Sequence, residues 1–82
     1  MKTLHIIRDP QEILAIELAT QQLEEVALLL MQDGVFLRQA FPGRIYALAD
    51  DSAARNLTAP YEPVDYEGAV KLIFEYDKVV VW

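Results

Sequence analysis

The sequence contains no cysteine among its 82 residues. This absence excludes disulfides, thiol nucleophiles, thiolate zinc sites and iron–sulfur clusters. Glycine is also scarce, at positions 34, 43 and 68, so neither the G-x-G-x-x-G dinucleotide fingerprint nor the P-loop is present. One histidine, His5, and one serine, Ser52, leave a single conceivable Ser–His pair. We therefore expect no cofactor, no resident metal and no catalytic residue.

Basic residues are few as well, with seven Lys and Arg against thirteen Asp and Glu and a net charge of −6. They are scattered along the chain, and no run collects them. Because neutralisation of phosphates dominates affinity for nucleic acids, direct binding of RNA or DNA is disfavoured, as is an anionic membrane surface. Apolar runs fall far short of the roughly 20 residues of a membrane span. The start, MKTLHIIRDP, is interrupted too soon for a signal peptide, and we expect a cytoplasmic protein.

Hydrophobic residues, in contrast, make up 54% of the chain. The length indicates one domain, residues 1–82, and so small a domain buries only a modest fraction of its surface. No disulfide stabilises it. We therefore expect the surplus apolar surface to be buried between subunits, in an oligomer or against an obligate partner; the alternative is a compact monomer with a well-filled core.

The stretch Glu24 to Gly34, EEVALLLMQDG, is the most informative segment. Its apolar run shows no alternation, which indicates a strand that is covered on both faces, as in parallel α/β sheets. A buried helix is the alternative, but the run is short and ends at the turn signal Asp33-Gly34. Ligands and partners of open parallel sheets bind beyond the carboxyl ends of the strands. Asp33-Gly34 is thus the first candidate site.

Strand and helix signals alternate along the whole chain. Strands are predicted at 2–7, 24–31, 44–49 and 78–82, with a possible short strand at 62–64; helices are predicted at 10–22, 34–40, 50–55 and from 66 onward. The caps are assigned to Asp9, Asp33, Asp50-Asp51-Ser52 and Asp65, with Asn56 in a left-handed exit. This order predicts a three-layer α/β domain, with an open, mostly parallel sheet and helices on both faces.

The apolar faces of the helices are expected to pack on the sheet. For the first helix the predicted stripe contains Ile13, Ile16, Thr20 and Leu23, with Leu14 and Leu18 beside it. For the last helix it contains Tyr66, Ala69, Val70, Ile73 and Phe74. Phe36, Phe41 and Phe74 are therefore predicted core residues.

Seven residues are candidates for contact with a ligand or partner: Asp33, Gly34, Phe36, Asp50, Arg55, Tyr66 and Trp82. Several of these residues have a structural alternative. Asp33 could serve merely as a helix cap. Asp50-Asp51 could bind a divalent cation, but two adjacent carboxylates at the start of a helix more often form a cap. Arg55 could recognise an anion or a partner carboxylate, or be solvated. Trp82 could anchor an interface or cover the edge of the core, and His5 could be a general base or a hydrogen-bonded residue of the first strand.

Three segments, LLLMQDGVF (28–36), IYALADDSAARNL (45–57) and VDYEGAVKLIFEYDKVVVW (64–82), resemble the DsrH/TusB branch of the DsrE/DsrF-like sulfur-relay proteins. MKTLHIIRDP is compatible with it, so the resemblance extends over nearly the whole chain. It rests on an apolar framework, the D-G turn, the A-D-D turn and the D-Y-E-G cap.

The resemblance implies a flavodoxin-like subunit of a hetero-oligomer with TusC/TusD- or DsrF/DsrE-like partners. Such a complex passes persulfide sulfur between carriers, toward 2-thiouridine at the tRNA wobble position or toward sulfur oxidation. The principal sulfur-carrying cysteine belongs to the D- or E-type subunit, and some H-type members have one in the first-helix region, where this chain, QEILAIELATQQ, has none. The resemblance therefore implies a supporting, non-catalytic subunit. A stand-alone homodimer that binds a small ligand or a protein, and a small hydrolase or transferase using carboxylates and His5, are the other hypotheses.

Overall fold

Strands and helices alternate in the computed structural model, which describes residues 1–22, 25–38, 40–58 and 60–82. In chain order the elements are β1 (Lys2–Ile7), α1 (Ile13–Gln21), β2 (Glu25–Leu30), a 3-10 helix (Gln32–Phe36), β3 (Arg44–Leu48), α2 (Ala49–Ala54), β4 (Glu62–Val64), α3 (Tyr66–Glu75) and β5 (Lys78–Val81). Within these described ranges, no helix is long and apolar enough to cross a membrane.

The five strands form one sheet in the order β4-β3-β2-β1-β5, and every neighbouring pair is parallel. The chain moves stepwise from β1 to β4, and α3 then returns across the sheet to place β5 on the other side of β1. This confirms the predicted α/β class, an open parallel sheet in a flavodoxin-like arrangement. The short strand at 62–64 is also confirmed. It lies at an edge, where Pro63 removes no hydrogen bond from a central ladder.

The two faces of the sheet are covered unequally. On one face α1, the 3-10 helix and the side chains of Leu57 and Tyr61 pack against Ile7, Leu28 and Leu30. On the other face, α3 is the one helix of the described ranges that packs against Leu4, Leu29 and Leu48. The result is three layers, with β2 buried on both sides as its unbroken apolar run predicted; its Ala27 to Leu30 segment is fully buried.

Helix starts differ from the prediction at three places. The Asp9 carboxylate accepts a hydrogen bond from Gln11 N at 2.9 Å and closes a turn, so that α1 begins at Ile13 and not at Pro10. The second helix is a 3-10 helix from Gln32 to Phe36, without the predicted cap by Asp33. At α2 the N-cap position is Leu48, and the two aspartates lie in the first turn instead. Predictions for Leu23, Glu24 and Gln39 lie outside the described residues.

Two predicted helix ends are confirmed. Asp65 caps α3, because its Oδ1 accepts a hydrogen bond from Gly68 N at 2.7 Å. Asn56 has φ 52°, and two backbone hydrogen bonds, from Leu57 N to Ser52 O and from Asn56 N to Ala53 O, close the end of α2 around it.

The predicted helix faces are largely wrong. α1 packs on the sheet through Ala15, Ile16 and Ala19, and α3 packs through Ala69 and Leu72, with Tyr76 directly after its end. The alanines let the helix backbones approach the sheet closely, and this choice turns larger apolar side chains outward. The exposed residues from the predicted stripes and core are Ile13, Leu14, Leu18, Thr20, Phe36, Tyr66, Val70, Ile73 and Phe74.

Candidate functional site

The carboxyl ends of β2 and β3 meet in a polar group that we call the carboxyl-edge cluster: Gln32, Asp33, Asp51 and Arg55. Arg55 Nε donates to Asp33 Oδ1 at 2.8 Å, and its Nη1 donates to Asp51 O at 3.1 Å. The Asp33 side chain is 68% exposed, whereas that of Arg55 is 26% exposed. The sequence predictions for Asp33 and Arg55 thus converge on one place, where a half-buried guanidinium supports a solvent-facing carboxylate.

Asp51 organises the backbone of this cluster. Its Oδ2 accepts a hydrogen bond from Gln32 N at 2.6 Å. Gln32 has φ 51°, a left-handed conformation that costs a non-glycine residue free energy. Neither residue was a sequence candidate for contact. The four-residue spacing of Asp51 and Arg55 was the available signal, because it places both side chains on one face of a helix.

Gly34 allows close packing at the same edge of the sheet. It is buried, and a Cβ atom at this position would lie 2.1 Å from Ile7 O at the end of β1. Ile7 O also accepts a hydrogen bond from Met31 N at 2.9 Å. The 3-10 helix therefore sits directly on β1, and the absence of a side chain at Gly34 permits the contact.

Trp82 lies at the end of β5 and joins two other elements. Its indole Nε1, which can only donate, donates to His5 Nδ1 at 3.0 Å. His5 Nδ1 must accept, so the ring carries its proton on Nε2 and donates it to Gln22 Oε1 at 2.6 Å. His5 is only 4% exposed, and both ring nitrogens are occupied. These contacts favour the structural interpretation of His5 over the general base.

Phe36, Asp50 and Tyr66 are exposed and lie apart from these hydrogen bonds. Asp50 and Tyr66 follow the last paired residues of β3 and β4, Leu48 and Val64, by two positions each. The connections that follow these two strands cover opposite faces of the sheet, so a topological switch point lies between them. Asp50 and Tyr66 therefore lie just beyond the carboxyl ends of β3 and β4.

A cleft of about 820 Å³ opens at the opposite, amino end of the sheet, between the ends of α1 and α3. Arg44 Nη1 donates to Tyr46 Oη at 3.2 Å, and Lys2 Nζ lies 4.9 Å from the Tyr76 ring centroid. Burial, with the neighbouring Tyr46 and Glu25, raises the pKa of Tyr76 to about 12. Sequence reasoning missed this cleft, since its polar groups come from three strands and two helix ends.

A smaller cavity of about 250 Å³ lies between α2, β3 and the segment before β4. Its wall includes Ser52, whose buried Oγ has no hydrogen-bond partner among the described residues. Tyr61, also in the wall, donates its hydroxyl to Leu37 O at 2.8 Å. The Ser52 hydroxyl is itself inaccessible, so the cavity presents a mainly apolar surface.

In the part of the chain that the structure describes, no three His, Asp or Glu side chains come together as a metal-binding group. The two neighbouring aspartates diverge: Asp51 is half-buried and turned toward Gln32 and Arg55, while Asp50 is exposed. This geometry accounts for Asp51 without a cation.

Comparison with known proteins identifies the family of this chain. The chain is similar in fold to protein Tm0979 from Thermotoga maritima, whose solution NMR structure matches with a TM-score of 0.70 at 20% sequence identity, over 89% of this chain and 92% of that one. No curated protein matches the sequence significantly. The family described as DsrH like protein matches residues 8–79. The chain therefore belongs to the DsrH-like protein family.

Proposed function

We propose that this protein supports sulfur relay as a subunit that does not carry the sulfur itself. Membership of the DsrH-like family supports a role related to sulfur relay in general. The observation that carries the proposal is the absence of cysteine from the 82 residues. A persulfide needs a thiolate sulfur to hold it, and the thioether of Met1 or Met31 cannot form one.

The contribution of such a subunit comes from shape and surface. The carboxyl-edge cluster offers a carboxylate at Asp33 whose orientation is fixed by Arg55. Such a group suits a basic or hydrogen-bonding side chain on a TusC/TusD- or DsrF/DsrE-like partner. The net charge of −6 disfavours tRNA as the direct contact. We therefore assign this subunit the tasks of positioning a cysteine-bearing partner and of docking its sulfur carrier.

The test is a reconstituted relay, with radiolabelled sulfur supplied by a cysteine desulfurase and its carrier. Label should reach the cysteine of the D- or E-type partner and never appear as reductant-releasable label on this chain. Omission of this chain should lower transfer or prevent assembly. Unchanged transfer and assembly without it would refute the proposal, whether the final product is 2-thiouridine in tRNA or oxidised sulfur.

Two variants make the test specific to the site. Asp33→Asn removes the charge that faces Arg55 but keeps the size of the side chain, and it should weaken partner binding with little change in melting temperature. Glu17→Gln is the matched control, because Glu17 is an exposed carboxylate on α1. Equal partner affinity for the parent and both variants would exclude Asp33 from the contact surface.

A second candidate function is a stand-alone homodimer that binds a small ligand or a protein at the carboxyl edge. The exposed apolar side chains of α3 favour self-association. Capture of the chain from native lysate distinguishes the two functions. The homodimer function predicts that this chain is recovered without other subunits. The relay function predicts that cysteine-bearing subunits co-purify with it.

A further inference from the structure

The cleft at the amino end of the sheet has the size and the lining of a small-molecule site. Its volume of about 820 Å³ falls within the range of roughly 300–1,000 Å³ that such sites occupy. The described part of its lining combines charged, hydroxyl and apolar side chains from β1, β2, β3 and the ends of α1 and α3. Apolar walls with a few polar groups that fix the orientation of a ligand are typical of binding sites. The charges of the lining then indicate the class of the ligand.

Four of the described lining residues are charged, and two of them satisfy each other. Lys2 Nζ lies 3.5 Å from Glu25 Oε2, and it also lies over the Tyr76 ring. Arg44 and Glu75 are both exposed, and neither forms an ion pair with another described residue. The lining therefore leaves one guanidinium and one carboxylate to be matched by a ligand.

Arg44 belongs to a group of hydrogen-bond donors. Its Nη1 donates to Tyr46 Oη at 3.2 Å, which leaves the proton of that hydroxyl for a different acceptor. The hydrogen bond to Tyr46, followed by the nearby Glu62, raises the pKa of Arg44. Burial raises the pKa of Tyr76 to about 12. Both groups therefore keep their protons at neutral pH, and a guanidinium beside hydroxyl donors suits a carboxylate.

Glu75, in contrast, lies where the chain favours a positive charge. It is the last residue of α3, and the end of α1 borders the same cleft. The carboxyl end of a helix carries a partial negative charge, because its last carbonyl groups have no partners within the helix. Two helix ends of this kind and an exposed carboxylate favour an ammonium group of the ligand.

The cleft also has an apolar wall, which Val26, Phe41 and Pro42 form. Val26 and Phe41 are partly buried and pack against the core on the α1 face of the sheet, so that core holds the wall in place. An aliphatic side chain that packs against this wall is removed from water, which favours binding.

We infer that this cleft binds a free α-amino acid with an aliphatic side chain, in its zwitterionic form. The carboxylate of the ligand accepts hydrogen bonds from Arg44 and from the hydroxyls of Tyr46 and Tyr76. Its ammonium group pairs with Glu75, and its side chain packs against the apolar wall. An organic anion or an organic cation would match only one of the two charges that the lining leaves unpaired. The site lies at the opposite end of the sheet from Asp33, so the inference goes beyond sulfur relay and does not depend on it.

NMR titration of the isotope-labelled chain with four small molecules tests the inference, at about pH 6.5, where the amines are protonated. The molecules are L-leucine, leucine amide, which lacks the carboxylate, isocaproate, which lacks the amine, and glycine, which lacks the side chain. L-leucine should shift the backbone amide resonances of the lining residues, with a dissociation constant on the order of 1 mM. Each of the other three should bind at least about 10-fold more weakly, because each loses one of the three contacts.

Two variants assign the charges of the cleft to the groups of the ligand. Arg44→Gln should weaken the binding of L-leucine at least about 10-fold and leave that of leucine amide unchanged, because the amide has no carboxylate to lose. Glu75→Gln should weaken L-leucine by a similar factor and leave isocaproate unchanged. Lys78→Gln is the matched control, since Lys78 is exposed at the amino end of β5 and is not part of the described lining. The dispersion of the amide resonances shows directly that each variant is folded.

Three results would overturn the inference. The first is the absence of saturable shifts at the lining residues with L-leucine up to tens of millimolar. The second is equal affinity for L-leucine, its amide and isocaproate, and the third is equal weakening by Lys78→Gln and Arg44→Gln. All of these measurements use the purified chain alone. A failed relay would therefore leave them unaffected, and their failure would leave sulfur transfer to be judged by the relay experiment.

Discussion

Gly34→Ala gives the most direct test of how the carboxyl edge is built. The added Cβ would lie 2.1 Å from Ile7 O and 2.9 Å from Ile7 C, both backbone atoms of the inner strand β1. A flexible side chain could move away, but these atoms are fixed by the sheet. Ile7 O also holds the turn by accepting from Met31 N at 2.9 Å. Either the 3-10 helix or the end of β1 must therefore shift.

The cost follows from these contacts. Overpacking of a fixed interior costs about 1–3 kcal/mol, and loss of the Met31–Ile7 hydrogen bond adds about 1 kcal/mol. A domain of 82 residues is expected to be stable by about 4–12 kcal/mol in total. Gly34→Ala should therefore remove about 2–4 kcal/mol, and a loss of about 3 kcal/mol would lower the melting temperature by roughly 12–24 °C.

Urea unfolding, followed by circular dichroism, measures this loss. Gly68→Ala is the matched control, since the same methyl group would meet only side-chain atoms, with Asp65 Oδ1 the nearest at 3.2 Å. Gly68 lies inside α3, where alanine is favoured over glycine by about 1 kcal/mol, so this variant should be neutral or stabilising. If Gly34→Ala unfolds at the same urea concentration as the parent, the close contact with β1 is wrong.

Three further predictions concern other groups. Burial raises the pKa of Tyr76 to about 12, so the tyrosine of the unfolded state ionises first, near pH 10. The free energy of unfolding should therefore fall as the pH rises from about 10 to about 12. Urea titrations at a series of pH values should show that Tyr76→Phe removes the contribution of this tyrosine to the fall. Ser52→Ala deletes a buried hydroxyl that has no partner among the described residues, and it should be neutral or stabilising by up to about 1 kcal/mol. A destabilisation of more than about 1 kcal/mol, measured by thermal unfolding, would mean that water satisfies the hydroxyl. Asp33→Ala breaks an exposed ion pair with Arg55 and should cost no more than about 1 kcal/mol, with calorimetry as the measurement.

The architecture was predictable because it depends on patterns that are local in the sequence. The unbroken apolar run of β2 indicated burial on both faces, and it is buried on both. Asp65 and Asn56 have side chains suited to one backbone conformation each, and both occupy it. The strand order, in contrast, stayed open, because β1, β2 and β3 have similar apolar compositions and nothing in them specifies a neighbour.

The orientation of the helices could not be predicted from the sequence, and the reason is physical. α3 carries apolar residues on both faces, so hydrophobic spacing indicates two alternative buried sides. Close packing on the sheet selects the side with Ala69, and Phe74 is left exposed. At the carboxyl edge, the pairing of Asp33 with Arg55 needed the three-dimensional structure, because the two residues come from separate elements that only the sheet brings together.

The position of β1 between β2 and β5 also orders the events of folding. β1 meets β2 after closing a segment of roughly 23 residues, whereas its pairing with β5 closes roughly 75. The longer closure costs about 1 kcal/mol more in chain entropy, so β5 should join last. Until it does, one edge of β1 offers unpaired backbone groups to other chains. Trp82, the single tryptophan, reaches His5 only when this edge closes, and its fluorescence should report the final, aggregation-sensitive step of refolding.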